Sequence, residues 1–577
     1  MKIKSQLTGV FLKEFQSISR PTFINLEKLT FFYGPNSAGK SSIIDALRLI
    51  RYAAVENDTE FNIGYHFRKN SHKDSNASLG IEFIARQLDY QDNPDINKWS
   101  EIPDSTGDHD HWEFHKKLIG NKVQVEFADR CESLKVAING QPLFEITSDS
   151  EYYTAFHKRT DNDDEMKNDD SYIFGKIKIY KSSIFFDSLY KNICDLLSEN
   201  SNKRKPNRTH IVHFREHHYD LLVNEDDDSI SINGIGFSTN RHQDSNFVNI
   251  SYSVSELLFY EHKLELEDSE FYSQEANKFL FENFSIKSPE FDSKLAKRRR
   301  LYWEISNLAK DIDLIVEGLF FHIRTAIDCS HIRGDRGLLN SEYPMHVPES
   351  KKISTSIKTG TKYNHLKNYA LYLSDPTQFI YPYPVIKNDF INISLEKFLP
   401  SLHDYRITAE THKITSPEDT WDKEINIVFL NISNNKKEKL GFQDVGSGLS
   451  YIMPILTSLW ASKLSIIEQP ELHLHPKAQC ELGDVFIAAY SQGAVSIIES
   501  HSEHILLRVL RRIRETTKNY LLPKNLKISK DDISIYYFEP VSEGHTVVKS
   551  IRVDRHGELL DLWPGGFFSE RDSELFS

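Results

Sequence analysis

A chain of 577 residues is long enough for two or three domains and a sizeable core. Its formal charge of −14 and pI near 6.0 argue against a surface coated for nucleic acid, which needs concentrated Lys and Arg, and leave only a local basic groove open to that use. Four scattered cysteines, Cys131, Cys194, Cys329 and Cys480, form no Cys-x-x-Cys pair, so neither a zinc site nor a disulfide framework is indicated and a reducing cytoplasm is expected. Met1 to Ser5 lack an apolar h-region, and the most apolar window, Tyr451 to Ile467, is interrupted by Pro454 and Lys463. Neither a leader nor a membrane span is expected.

Gly9-Val10-Phe11-Leu12 and Phe23-Ile24-Asn25-Leu26 predict two strands around a turn, and Leu29 to Tyr33 a short buried strand. Gly34-Pro35-Asn36-Ser37-Ala38-Gly39-Lys40-Ser41 then fits G-x-x-x-x-G-K-[ST], and Ser42 to Ile50 open an amphipathic helix that runs to about Val55. A phosphate-binding loop requires this strand, loop and helix in that order. The glycines let consecutive N–H groups curl onto an anion, and the helix start adds its positive end. Lys40 can neutralise β- and γ-phosphate oxygens, and the Ser41 hydroxyl can ligate Mg²⁺. Gly34, Asn36, Ser37, Ala38, Gly39, Lys40, Ser41 and Ser42 are thus the candidate nucleotide-binding residues.

From about 57 to 440 polar, loop-like stretches alternate with strand-like ones such as Ser78 to Ile84 and Lys122 to Phe127. Residues 160–170 form an acidic loop, and 255–328 carry apolar residues at helical spacing. His210, His213, His217 and His218 suit either a solvated polar loop or a metal-dependent nuclease site. Lys294, Lys297 and Arg298 to Arg300 suit either a solvated helix face or a DNA channel. No sustained heptads appear. A compact α/β pattern returns from about Ile425.

Four segments follow in order. Val445-Gly446-Ser447-Gly448-Leu449 leads into an apolar helix, Tyr451 to Trp460, and is a second anion-binding device by the same dipole argument. Leu464 to Glu468 is a buried strand ending in an acid, as a Walker B strand does. Leu472-His473-Leu474-His475-Pro476 comes next; alternating histidines beside a proline suit a packed loop or a metal. Ala494 to Glu499 is another buried strand, with His501 just past its end.

In this order the segments resemble ABC-type ATPases of the branch that includes SMC, SbcC, RecF and OLD proteins. The resemblance implies an α/β, ABC-type P-loop head split by a long mixed α+β, partly helical insertion. Gly446, Ser447 and Gly448 fall on its signature, Glu468 on the Walker B acid and Mg²⁺ ligand, Leu472 to Pro476 on the D-loop, and His501 on the switch histidine. His331 to Arg336 resembles an Arg-bearing strand near the nucleotide. The tail, Leu562 to Phe568, resembles a small C-terminal domain of unknown function. The expected divisions are 1–57 with the P-loop, 58–440 as the insertion with part of the ATPase sheet, 441–520 with the signature and Walker B, and 521–577 as the small C-terminal segment.

One departure bears on activity. The family's Walker B acid is followed by a Glu that polarises the attacking water, and here Gln469 stands there. An amide cannot take a proton, and general-base help is worth about 10²–10⁴-fold. Slow hydrolysis is expected unless Glu471 or His501 compensates. The resemblance implies ATP and Mg²⁺ as cofactors, and an ATP-linked homodimer in which the signature of one copy closes on the nucleotide of the other. It also implies a separate effector, a nuclease such as an HNH protein, since stand-alone ATPases of this look occur in anti-phage systems such as Septu and some retrons. Two other outputs stay open: a RecF- or SbcC-like repair ATPase that clamps DNA, and a nuclease using the His210–His218 cluster. A built-in Toprim nuclease is not expected, because Asp531, Asp532, Asp554 and Asp561 make no convincing acidic cluster.

Overall fold

The computed structural model describes residues 2–55, 77–88, 118–128, 133–148, 171–180, 208–214, 217–224, 229–239, 319, 322–323, 325–334, 342–344, 369, 373, 386, 389–402, 405–415, 424–433, 439–440, 445–541 and 545–563. The chain splits into two compact units. One holds Met1–Phe23 and Asp45–Ala326, and the other Ile24–Ile44 and Ile327–Ser577.

The chain opens with β1 (Lys2–Lys13), β2 (Thr22–Asn25), β3 (Leu29–Tyr33) and α1 (Lys40–Val55), as the hydrophobic pattern predicts. Eight strands follow: β4 (Ser78–Leu88), β5 (Lys122–Ala128), β6 (Ser133–Ile138), β7 (Gln141–Ser148), β8 (Ser171–Tyr180), β9 (Arg208–Phe214), β10 (His217–Asn224) and β11 (Ser229–Thr239). They join the first two in a ten-stranded sheet of order β2-β1-β4-β5-β6-β7-β8-β11-β10-β9. Alternation explains its buried face: Leu79, Ile81 and Phe83 on β4 match Val123, Val125 and Phe127 on β5. Glu82 is buried here, and it is satisfied by Thr8, Lys122 and Gln124.

The histidine cluster lies on a β-hairpin, not in a loop. His213 pairs with His218 and His217 with Phe214 between β9 and β10. Backbone ladder bonds supply the order that a polar sequence does not advertise. The acidic stretch 160–170, the basic residues Lys294 to Arg300 and most of the helical pattern 255–328 lie outside the described residues.

The second unit adds β12 (Cys329–Ile332), β13 (Glu342–Pro344), α2 (Phe390–Lys397), β14 (Arg406–Thr415), β15 (Glu424–Ser433), β16 (Lys439–Leu440) and α3 (Ser447–Ala461). After these come β17 (Leu464–Glu468), α4 (Pro476–Tyr490), β18 (Val495–Glu499), α5 (Glu503–Thr517), β19 (Ile533–Pro540) and β20 (Thr546–Ser550). Strands β13 to β16 make a small antiparallel sheet. The others join β3 in a six-stranded sheet of order β12-β17-β18-β3-β19-β20, parallel except for β20. All five residues of β3 are buried, as a strand covered on both faces requires.

Helix α4 makes the crossover between the parallel neighbours β17 and β18, and α5 packs beside it. Their junction carries an ionic cluster. Asp484, with its side chain 7% exposed, accepts from Arg508 at 2.6 Å and from Arg512 at 2.7 Å. Removing one partner of such a set leaves charge stranded, so Asp484→Asn is expected to lower the unfolding free energy by about 3 kcal/mol. A denaturant titration with a single cooperative transition measures it, and an unchanged midpoint contradicts it. No helix among the described residues is long and apolar enough to cross a membrane.

Candidate functional site

Register brings the site together. In a parallel sheet the chain leaves each strand at the same edge, and ligands bind in the crevice outside that edge. Here Ile332 pairs with Ile467, Glu468 with Glu499, Glu499 with Phe32, and Tyr33 with Tyr537. The ends of β12, β17, β18, β3 and β19 therefore meet around Gly34. The tetrapeptide Ser-Ile-Ile-Glu occurs twice, at 465–468 and 496–499, and the two copies lie side by side in register. Both copies are buried along their serines and isoleucines, and the parallel register aligns their two carboxylates at one edge.

The loop after β3 has the curl that its motif predicts. Gly34 has φ +141°, and a Cβ on it would lie 2.5 Å from the carbonyl oxygen of Phe538, so only glycine fits. Ser37 and Gly39 also take positive φ, 61° and 84°. Asn36, Ser37 and Ser41 are exposed, whereas Ala38, Lys40 and Ser42 are buried. Lys40 Nζ donates to the Gly34 and Pro35 carbonyls at 3.0 and 2.9 Å and lies 3.6 Å from Glu499 Oε1. Burial lowers the Lys40 pKa, and the nearby Glu499 and Glu471 oppose it. Burial raises the Glu499 pKa; Lys40 opposes this, while Glu468 and Glu471 add to it.

Glu468 sits differently. Its Oε1 hydrogen-bonds His331 Nε2 at 2.7 Å, and its Oε2 accepts the Gly334 N–H at 3.3 Å. Burial pushes its pKa up, but the His331 bond and charge, the Gly334 N–H and Arg333 bring it below the usual carboxylate value. Glu468 is thus an ionised acceptor, and His331 donates to it. The strand expected to bring an arginine brings this histidine as well; Asp335 and Arg336 fall outside the described residues.

Gln469 leaves β17 with φ +46°, its N–H donating to the Glu499 carbonyl at 2.7 Å. Its side-chain oxygen lies 2.7 Å from where a Cβ on Gly334 would stand. Glu471 is fully engaged: Oε2 accepts from Ser500 Oγ and Oε1 from the His501 N–H, both at 2.7 Å. It acts as a brace for the turn after β18. The His501 ring has its pKa lowered by burial and by Lys40, so it is neutral at neutral pH, and its Nε2 is buried without a hydrogen-bond partner.

The turn at Gly446 to Gly448, which resembles a signature, stands beside the loop from Leu472 to Pro476. Gly446 is the N-cap of α3, and Gly446 and Ser447 are exposed. A Cβ on Gly448 would meet the His473 carbonyl at 3.3 Å. The helix runs on through Pro454. His473 packs its ring on Tyr451 at 4.2 Å, and His475 caps α4 by accepting the Lys477 N–H at 3.2 Å. Both histidines are exposed, and each is tied to a neighbouring helix by the contact described. No group of three or more His, Cys, Asp or Glu side chains that could hold a metal ion occurs among the described residues. Asp532 caps a turn with Ser529, and Asp561 pairs with Arg552.

Glu499 is the site residue that the motif spacing passes over, although the repeated Ser-Ile-Ile-Glu could have flagged it. Its Oε2 is buried and has no hydrogen-bond partner. That orphaned oxygen and the ionised Glu468 are hard oxygens of the kind that ligate Mg²⁺ or accept hydrogen bonds from its bound waters, and the exposed Ser41 is a third. The residues present fit a magnesium–nucleotide group.

No curated protein matches the sequence. The structure is similar to the SMC head domain from Thermotoga maritima, with 9% identity and a TM-score of 0.32 over 95% of this chain and 100% of that one. It is also similar to a Pyrococcus furiosus Smc head domain with an extended coiled coil bound to the C-terminal domain of ScpA (10%, TM-score 0.32, 95% and 96% covered). A third is a Pyrococcus yayanosii Smc head domain with a coiled coil and joint (11%, TM-score 0.33, 95% and 97% covered). Residues 528–577 match a family described as a protein of unknown function, DUF3696. Residues 1–506, P-loop and both Ser-Ile-Ile-Glu strands included, match the AAA ATPase domain family, and the chain belongs to it.

Proposed function

We propose that this ATPase is a nucleotide switch that closes a twofold dimer, hydrolyses slowly and controls a separate effector. The observation that carries this reading is the meeting of Lys40, Glu468, Glu499 and His501 at one sheet edge, with the exposed start of α3 beside the D-loop. Gly34 to Ser42 would cradle the triphosphate through backbone N–H groups. Lys40 would leave Glu499 for the β- and γ-phosphate oxygens. Ser41 and Glu468 would hold Mg²⁺, His331 fixing the Glu468 carboxylate; the ion's contribution is to neutralise charge on the phosphates. His501 would accept a hydrogen bond or a proton at Nε2. Gln469 would orient water without deprotonating it.

Gly446, Ser447 and Gly448 would then cap the nucleotide bound by a second copy. A twofold contact of this kind is isologous, and ATP would select the closed state. The effector is proposed as a nuclease, such as an HNH protein in anti-phage defence, on the resemblance of the motifs. Light scattering with and without ATP·Mg²⁺ tests the dimer. The expected result is a doubling of mass that Ser447→Arg prevents while ADP still binds. An unchanged mass with ATP bound rejects the closed-dimer reading.

A further inference from the structure

We propose that the C-terminal segment, whose family has no assigned function, forms the second wall of the nucleotide cradle, with Thr546 as the residue that positions the phosphate-binding loop. The proposal rests on Gly34 to Ser41 being the nucleotide loop and deepens that reading.

Strand β3 has two parallel neighbours, and they come from differently matched parts of the chain. On one side β18 falls within residues 1–506; on the other β19 falls within 528–577. Strand β19 pairs with all of β3, from Ile533 against Leu29 to Tyr537 against Tyr33. Beyond the last pair, the next residue on each chain is a contact between backbones. The Phe538 carbonyl occupies the place a Gly34 side chain would need, at 2.5 Å. The φ of +141° at Gly34, where the loop begins to curl, is fitted to that carbonyl.

Strand β20 adds the specific bond. It returns antiparallel to β19, and Thr546, at its start, is 5% exposed. Its Oγ1 donates to the Ala38 carbonyl at 2.9 Å. Ala38 is the residue before Gly39-Lys40, so this bond fixes the peptide plane just ahead of the N–H groups that open α1. Those N–H groups are the ones an anion at a helix start meets. Trp563 closes the same wall, its ring 5.6 Å from Tyr33 and 6.0 Å from Tyr537. The loop is thereby held from the C-terminal side by a carbonyl packed on its first glycine and a hydroxyl bonded to its fifth residue.

The test is calorimetric titration with ADP, which binds without turnover. Losing a buried hydrogen bond to a loop that must keep its shape is expected to weaken ADP binding about tenfold in Thr546→Val. Thr546→Ser keeps the hydroxyl and is expected to bind as wild type. Thr546→Ala, with no added bulk, carries the same expectation as Val should the Val variant not fold. Tyr536→Phe is the structural control: its hydroxyl bonds the Asn25 carbonyl at 2.8 Å, ahead of β3 and away from the loop. It is expected to lower the melting temperature without changing ADP affinity. Wild-type affinity in Thr546→Val and Thr546→Ala, with binding lost in Lys40→Ala, overturns the proposal alone. Equal weakening by Tyr536→Phe also overturns it, because the effect is then general to the sheet. No ADP binding by the wild-type chain overturns both the proposal and the reading beneath it.

Discussion

Lys40→Ala is expected to weaken nucleotide binding by at least about a hundredfold, since one charge-assisted contact to each of two phosphates is worth roughly 3 kcal/mol or more. The geometry adds a second consequence. Lys40 is 3% exposed at the side chain and lies 3.6 Å from Glu499, itself 9% exposed. Removing the ammonium strands a carboxylate that already has one buried oxygen without a hydrogen-bond partner. Loss of one partner of a buried pair costs about 3–5 kcal/mol, so the single variant is expected to be less stable as well. The double variant Lys40→Ala with Glu499→Gln separates the two effects. It removes the stranded charge, so stability returns toward wild type, while binding stays lost. Melting curves and titration with a non-hydrolysable ATP analogue of wild type, Lys40→Ala, Glu499→Gln and the double variant form a complete cycle. Recovery of binding in the double variant would show that Lys40 serves to neutralise Glu499 and not the phosphates.

The same pair shows where sequence reading stops. The phosphate-binding loop is legible because its chemistry is local: eight consecutive residues carry the glycines, the lysine and the hydroxyl, and a buried strand and a helix flank them. Strands β17 and β18 are legible because a strand buried on both faces must be an apolar run. Glu499 and Lys40 are 459 residues apart in the chain, and His331 is 137 residues before Glu468; neither meeting has a local signature. Periodicity gives burial and direction but not which strands are neighbours, and only the order β12-β17-β18-β3-β19 puts these side chains together. The C-terminal segment is legible as one of unknown function from its Trp-Pro-Gly-Gly run, yet the place of β19 beside β3 is not, because a parallel partner leaves no hairpin signal. The histidines of β9 and β10 misled for the opposite reason. A polar composition reads as loop, and backbone pairing between β9 and β10 overrides it.

Gln469→Glu is expected to raise turnover by about 10²-fold, the lower end of what a positioned general base supplies. The position is set by backbone, which makes the substitution clean. Gln469 has φ +46°, its N–H is bonded to the Glu499 carbonyl, and its side chain lies against Gly334. A glutamate has the same length and takes the same place. It would stand among Glu468, Glu499 and Glu471, and like charges raise a carboxyl pKa, which moves it toward the range of an effective base. No native group supplies that role freely. Both Glu471 oxygens are bonded to the turn after β18, and Glu499 faces Lys40. His501, its pKa lowered by burial and by Lys40 and its Nε2 buried without a hydrogen-bond partner, is the group proposed to set the residual rate of the native chain. His501→Gln is accordingly expected to depress turnover in wild type and to do so far less in Gln469→Glu, where the new carboxylate carries the proton. Phosphate release in single-turnover mixing measures both, with ADP affinity as the control for binding. Faster release paired with a shorter-lived ATP dimer identifies Gln469 as the brake on the switch. Unchanged or slower release in Gln469→Glu, with ADP bound normally, means that water is activated elsewhere in the site, and His501 then becomes the residue on which turnover depends.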